Sequence, residues 1–127
     1  MRFIVMGMAT KESEAGTPPK PEAYEAMGKY NDELVKAGVL LAAEGLVPSS
    51  KGARVKFSGD KRTVIDGPFA ETKEVLGGYY IVDCGEGDAI EIAKRIPVEK
   101  RSWVEVRRIA LFHPNVEKVA AMAQPAR

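Results

Sequence analysis

Two carboxylates stand where this chain could do acid–base work. Glu44, in Glu44-Gly45-Leu46, and Asp66, in Asp66-Gly67-Pro68-Phe69, each close a strand-like stretch and each precede a glycine. If both strand ends open on one cleft, mutual repulsion and burial push their pKa values apart. One can then serve as base and the other as acid, which makes Asp66 and Glu44 the catalytic candidates. Asp66 also has a plainer use, accepting hydrogen bonds from the backbone of its own turn. Glu44, at the end of an apolar strand, needs a partner of some kind.

The run after Asp66 is the densest in special residues. Pro68 fixes φ and lacks an N–H, so the chain must leave the sheet there. Phe69 is either a core plug or the wall of a pocket for an apolar or aromatic ligand. Glu71 and Lys73 are either a loop-fixing ion pair or groups that meet a ligand. Tyr24, Tyr79 and Tyr80 are open between core and pocket. The ligand-binding candidates are therefore Phe69, Glu71, Lys73, Tyr79 and Tyr24. Ser49-Ser50-Lys51-Gly52 lacks the glycine spacing of a phosphate loop. Cys84 closes an apolar strand and suits a small packed side chain. A single Cys and a single His, His113, cannot build a structural zinc site from soft ligands, so no metal site and no cofactor are expected.

These residues need elements to position them. Residues 2–8 and 78–84 are apolar on both faces, the mark of central strands. Residues 39–43 form a shorter strand. Ala53, Val55 and Phe57 alternate with Arg54 and Lys56 as in an outer strand, and 63–66 returns after a turn at 58–61, giving a β-hairpin. Residues 103–112 make a last strand. Residues 9–20 are a polar connector or a flap.

Ala23, Met27, Tyr30, Leu34 and Ala37 recur at helical spacing, which predicts a helix from Pro21 with Gly38 just past its end. Gly28 inside it suggests close packing there. Asp88 with Glu91 resembles a capping box opening a second helix, which Pro97 stops. Gly77 and Gly78 let another backbone, or a ligand, come close. The order β-α-β, hairpin, β-α-β fits an α+β fold, a ferredoxin-like sandwich with an inserted β-hairpin. Residues 1–112 would be one domain and 113–127 a C-terminal tail.

Asp66-Gly67-Pro68-Phe69, with Ala70-Glu71-Thr72-Lys73-Glu74 and Gly77-Gly78-Tyr79-Tyr80, resembles the signature of the DGPF-domain branch of the YCII-related family. The similarity runs from about residue 1 to about residue 108. It includes Gly38-Val39-Leu40, Glu44-Gly45-Leu46 and Pro48-Ser49-Ser50-Lys51-Gly52. The resemblance implies a dimeric α/β barrel. Members of the wider family carry a His–Asp pair whose His is expected near the first helix; this chain departs from that pattern, having no histidine before His113. The resemblance also implies an association with extracytoplasmic-function sigma factors, so a non-enzymatic accessory or regulatory module is the alternative function.

Composition bounds the rest. The chain has 127 residues, 45% hydrophobic and 29% charged, the balance of one globular domain. Nineteen basic and 18 acidic residues leave a net charge of +1, no footprint for nucleic acid or an anionic membrane. The apolar run 3–9 is too short to span a bilayer, and the cytoplasm is the plain reading. Two helices can cover only one sheet face, yet the central strands are apolar on both, so a second copy should cover the other. The expected protein is a cytoplasmic homodimer that binds a small organic molecule, with acid–base chemistry open to it.

Overall fold

The structure is a computed structural model, and it describes residues 1–97 and 103–110. In chain order it contains β1 (Arg2–Met8), a one-turn helix α1 (Lys11–Glu14), α2 (Pro21–Lys36), β2 (Leu40–Gly45), β3 (Ala53–Ser58), β4 (Lys61–Asp66), β5 (Leu76–Asp83), α3 (Glu86–Lys94) and β6 (Val104–Arg108). The main sheet has the order β2-β5-β1-β6, every neighbour antiparallel, while β3 and β4 form a separate two-stranded sheet. The fold is α+β with a ferredoxin-like strand order.

The two strands that are apolar throughout do take the inner positions. Phe3 pairs with Val82 and Val5 with Tyr80, and all four are buried. They make one core with Leu34 of α2 and with Ala89 and Ile92 of α3. Both helices therefore lie on the Phe3–Val5 face. Side-chain alternation directs Ile4, Met6, Tyr79 and Ile81 to the opposite face, where they are half-buried. The Tyr30 hydroxyl on α2 donates to the carbonyl of Ile92 on α3 at 2.6 Å, tying the two helices together. Burial raises the Tyr30 pKa above its ordinary 10.0, Arg95 opposing and Glu33 adding. No helix among the described residues is long and apolar enough to cross a membrane.

Several expectations needed correction. Within the connector at 9–20 only Lys11–Glu14 is helical, forming α1 behind a capping box: Thr10 Oγ1 accepts from the Ser13 N–H, and Ser13 Oγ accepts from the Thr10 N–H. Asp88 is not an N-cap, because α3 starts three residues earlier than that would require, with Gly85 at the cap, and Asp88 falls in the first turn. A carboxylate there still suits the helix dipole. Gly28 packs against nothing: a Cβ built on it meets no atom within 4 Å. The hairpin is no outer strand of the main sheet, and every residue of β3 and β4 is exposed on both faces. The last strand ends by Arg108, and 111–112, His113 and the tail lie outside the described residues.

Candidate functional site

A cleft of about 170 Å³ lies between α2 and the main sheet. Its volume comes from missing side chains: Gly7, Gly45, Gly77 and Gly78 all border it. Two of these sit hard against a neighbouring backbone. A Cβ on Gly78 would sit 2.9 Å from the Glu44 carbonyl oxygen, and one on Gly77 would sit 3.0 Å from the Ala9 Cα. The glycine pair thus admits a neighbouring backbone, as its composition suggested. The same absence of side chains opens the cleft beside it. Val5, Met27, Ala43 and Ile96 supply apolar walls.

The polar group of the cleft is a pair. The Tyr80 hydroxyl, from the centre of the sheet, donates to Asn31 Oδ1 on α2. Asn31 is half-buried and Tyr80 buried, and both border the cleft. With its oxygen engaged, Asn31 has amide N–H donors left for whatever occupies the space. Sequence reasoning missed Asn31. The signal was there: it falls four residues after Met27 and three before Leu34, a polar residue on the stripe that faces the sheet.

Glu44 borders this cleft and Asp66 does not. Ala43 pairs with Tyr80 and Glu44 with Tyr79, so alternation sends the Glu44 and Tyr79 side chains to the sheet face away from the helices. The cleft lies on the helix side, so alternation takes these two side chains away from it. Asp66 ends β4 opposite Ala53, exposed. The structure therefore does not bring the two carboxylates into one cavity. Tyr24 is 75% exposed on the outside of α2, and Glu71 is exposed ahead of the 3-10 turn Thr72–Glu74. Lys73 lies in that turn, and its side chain is outside the described residues. Phe69 is half-buried with the Arg54 guanidinium 3.8 Å from its ring centre, a cation–π contact with the hairpin. Burial raises the Cys84 pKa above its ordinary 9.0, with Asp88 and Asp83 adding and the chain's amino terminus opposing, so the thiolate is disfavoured.

The Asp66–Phe69 run has a second, unpredicted partner. Ser49 is 7% exposed, the only polar residue buried among those described. Its backbone N–H donates to Glu14 Oε2 at 2.8 Å and its hydroxyl donates to Glu14 Oε1. Its Oγ in turn accepts from the Phe69 N–H at 3.1 Å. The Gly67 N–H donates to the Gly52 carbonyl at 3.0 Å, and a Cβ on Gly67 would lie 1.8 Å from the Ser49 carbonyl oxygen. Three segments far apart in sequence are locked at this point. The run around Asp66 is a structural clasp, built on a glycine that nothing else can replace.

A ferredoxin-like α+β sandwich with a glycine-floored cleft under its first long helix defines the class of protein. The family model described as YCII-related domain matches residues 1–113, and the chain belongs to that family. The Asp66–Phe69 run lies inside the matched span. The chain is 41% identical over 86 residues to an uncharacterised protein of Rhizobium meliloti (strain 1021), an alignment covering 65% of this chain and 69% of that one. Among solved structures it is similar to the 5-chloro-2-hydroxyhydroquinone dehydrochlorinase TftG from Burkholderia phenoliruptrix AC1100, in complex with 2,5-dihydroxybenzoquinone. That likeness has a TM-score of 0.48 at 11% identity, covering 87% of this chain and 94% of the other.

Proposed function

We propose that the protein binds a compact, monocyclic organic molecule in the cleft between α2 and the sheet. The observation that carries this is the Tyr80–Asn31 pair set in otherwise apolar and glycine walls. A few convergent polar groups in an apolar concavity are the usual form of a small-molecule site. The space of about 170 Å³ is close to the roughly 150 Å³ apolar cavity that admits benzene, so a single ring fits and a drug-sized ligand does not. The free Asn31 N–H donors select a ring bearing an acceptor oxygen, such as a cyclic ketone, a phenolate or a carboxylate. Titration with phenol, cyclohexanone and benzoate tests the reading: saturable binding that Asn31→Leu removes supports it, and no saturable binding by any of them overturns it.

Acid–base turnover by Glu44 and Asp66 would have to come from outside the cleft: alternation sends the Glu44 carboxylate to the far face of the sheet and Asp66 ends the hairpin, so neither faces the bound ring. Glu44→Gln should therefore leave affinity for these ring ligands unchanged.

The same reading includes a second copy of the chain. Ile4, Met6, Tyr79 and Ile81 form an apolar band on the face that α2 and α3 do not cover. A closed two-fold dimer that packs these faces together would make the barrel expected from the sequence. A mass near 28 kDa in solution supports it, and a mass of 13.8 kDa, that of one chain, at micromolar concentration contradicts it.

A further inference from the structure

The polar pair of the cleft has more hydrogen-bonding capacity than a ligand with an acceptor oxygen can use. Glu44 and Tyr79 turn their side chains to the far face of the sheet. Among the described residues, Asn31 and Tyr80 are then the only side chains that bring nitrogen or oxygen to the cleft. Among those residues Tyr80 is also the only hydrogen-bond partner of the Asn31 side chain. A primary amide has two N–H donors and two lone pairs on its oxygen. The Tyr80 hydroxyl takes one lone pair. Both donors and the other lone pair remain open.

Asn31 is half-buried, and its neighbours in the cleft are Val5, Met27, Ala43, Ile96 and glycine backbone. The strands that floor the space pair with one another, β2 with β5 and β5 with β1, so their backbone groups serve the sheet. A ring that fills the space displaces water from it. If that ring carries only an acceptor, it meets an N–H of Asn31 and leaves the open lone pair facing carbon. A buried acceptor without a donor is costly, and a site with such a group rejects ligands that cannot answer it.

We propose that the ligand is a cyclic amide, held edge to edge by the amide of Asn31. In a lactam the N–H and the C=O leave the same carbon on the same side, as they do in the Asn31 side chain. The two edges therefore match through two hydrogen bonds, N–H to oxygen in each direction. Asparagine reads the donor–acceptor edge of adenine in the same bidentate way. Tyr80 holds the other lone pair and fixes the plane of the amide, so Tyr80 is a positioning residue and Asn31 the one that determines specificity. The inference rests on the cleft reading above and narrows its ligand from any ring with an acceptor oxygen to one with a donor beside that oxygen.

The test compares cyclohexanone with 2-piperidone, two six-membered rings that differ by one CH₂ exchanged for N–H. Each is titrated into the full-length chain and followed by amide chemical shifts. We expect 2-piperidone to bind about tenfold more tightly. Asn31→Asp keeps an acceptor for Tyr80 and for the ligand but has no N–H. It should lose cyclohexanone while retaining saturable binding of 2-piperidone through the lactam N–H. A wild-type preference below about fivefold overturns the lactam assignment and leaves the acceptor reading standing. Equal loss of both ligands in Asn31→Asp overturns the edge-to-edge pairing. No saturable binding of either ring, nor of phenol or benzoate, overturns the cleft reading as well.

Discussion

Glu14 and Ser49, thirty-five residues apart, are joined twice: one carboxylate accepts both the backbone N–H and the hydroxyl of the same serine. The geometry fixes α1 to the loop that carries the Asp66–Phe69 run, because Ser49 Oγ also receives the Phe69 N–H. A hydrogen bond to a charged group is worth about 1.5–3 kcal/mol, and a buried donor left without its acceptor costs a similar amount. Glu14→Ala should therefore lower the urea-unfolding free energy by about 2–3 kcal/mol. Ser49→Ala, which strands the Phe69 N–H, should cost about as much. The double variant should fall short of the sum, since the two side chains form one network.

Two glycines give opposite predictions. At Gly67 a methyl group would collide with the backbone of Ser49, and backbone cannot rotate away. Gly67→Ala should cost more than 3 kcal/mol or yield no folded protein. At Gly28 a methyl group meets open space inside a helix. Gly28→Ala should stabilise the fold by about 1 kcal/mol, read as a rise in thermal midpoint.

The Cys84 thiol gives the pH dependence. Its pKa is raised in the fold by burial, so the neutral thiol is the form that the folded state favours. The associated stability is fully present below pH 9.0, the ordinary value, and is lost as pH rises through the raised folded value. Labelling by a thiol-specific reagent should accordingly be slow at pH 7 and accelerate above pH 9. Fast labelling at pH 7 in the folded protein would contradict the buried environment described here.

The sandwich was legible in the residues because periodicity and burial report on the same thing. Runs apolar on both faces at 2–8 and 78–84 can only be inner strands, and they are. The stripe from Met27 to Leu34 is the face that packs on the sheet. The site was less legible. Glu44 and Asp66 look alike in sequence, each a carboxylate before a glycine at a strand end. Yet Asp66 belongs to a hairpin that leaves the main sheet, and no local pattern says where a hairpin will point. The Glu14–Ser49 clasp joins two unremarkable polar residues across a long separation, which periodicity cannot see. Asn31 was visible as a polar residue on an apolar stripe, but its meaning depended on Tyr80 lying opposite. The expected N-cap at Asp88 failed because α3 begins without a side-chain cap.

Tyr80→Phe separates the two halves of the polar pair. The ring remains to fill the core beside Val5, while Asn31 Oδ1 loses its donor. The fold should lose about 1 kcal/mol in urea unfolding. Ligand affinity should fall by a smaller factor than for Asn31→Leu, because the Asn31 N–H groups survive but are no longer held in place.

The most direct test of the cleft is a titration of the isotopically labelled protein with phenol, cyclohexanone and benzoate, followed by amide chemical shifts. Binding where we place it should move Asn31, Gly45, Gly77, Gly78 and Tyr80 together along one saturation curve, and Asn31→Leu should abolish the movement. Shifts gathered instead around Asp66, Phe69 and Glu71, with the α2 cleft silent, would contradict the account.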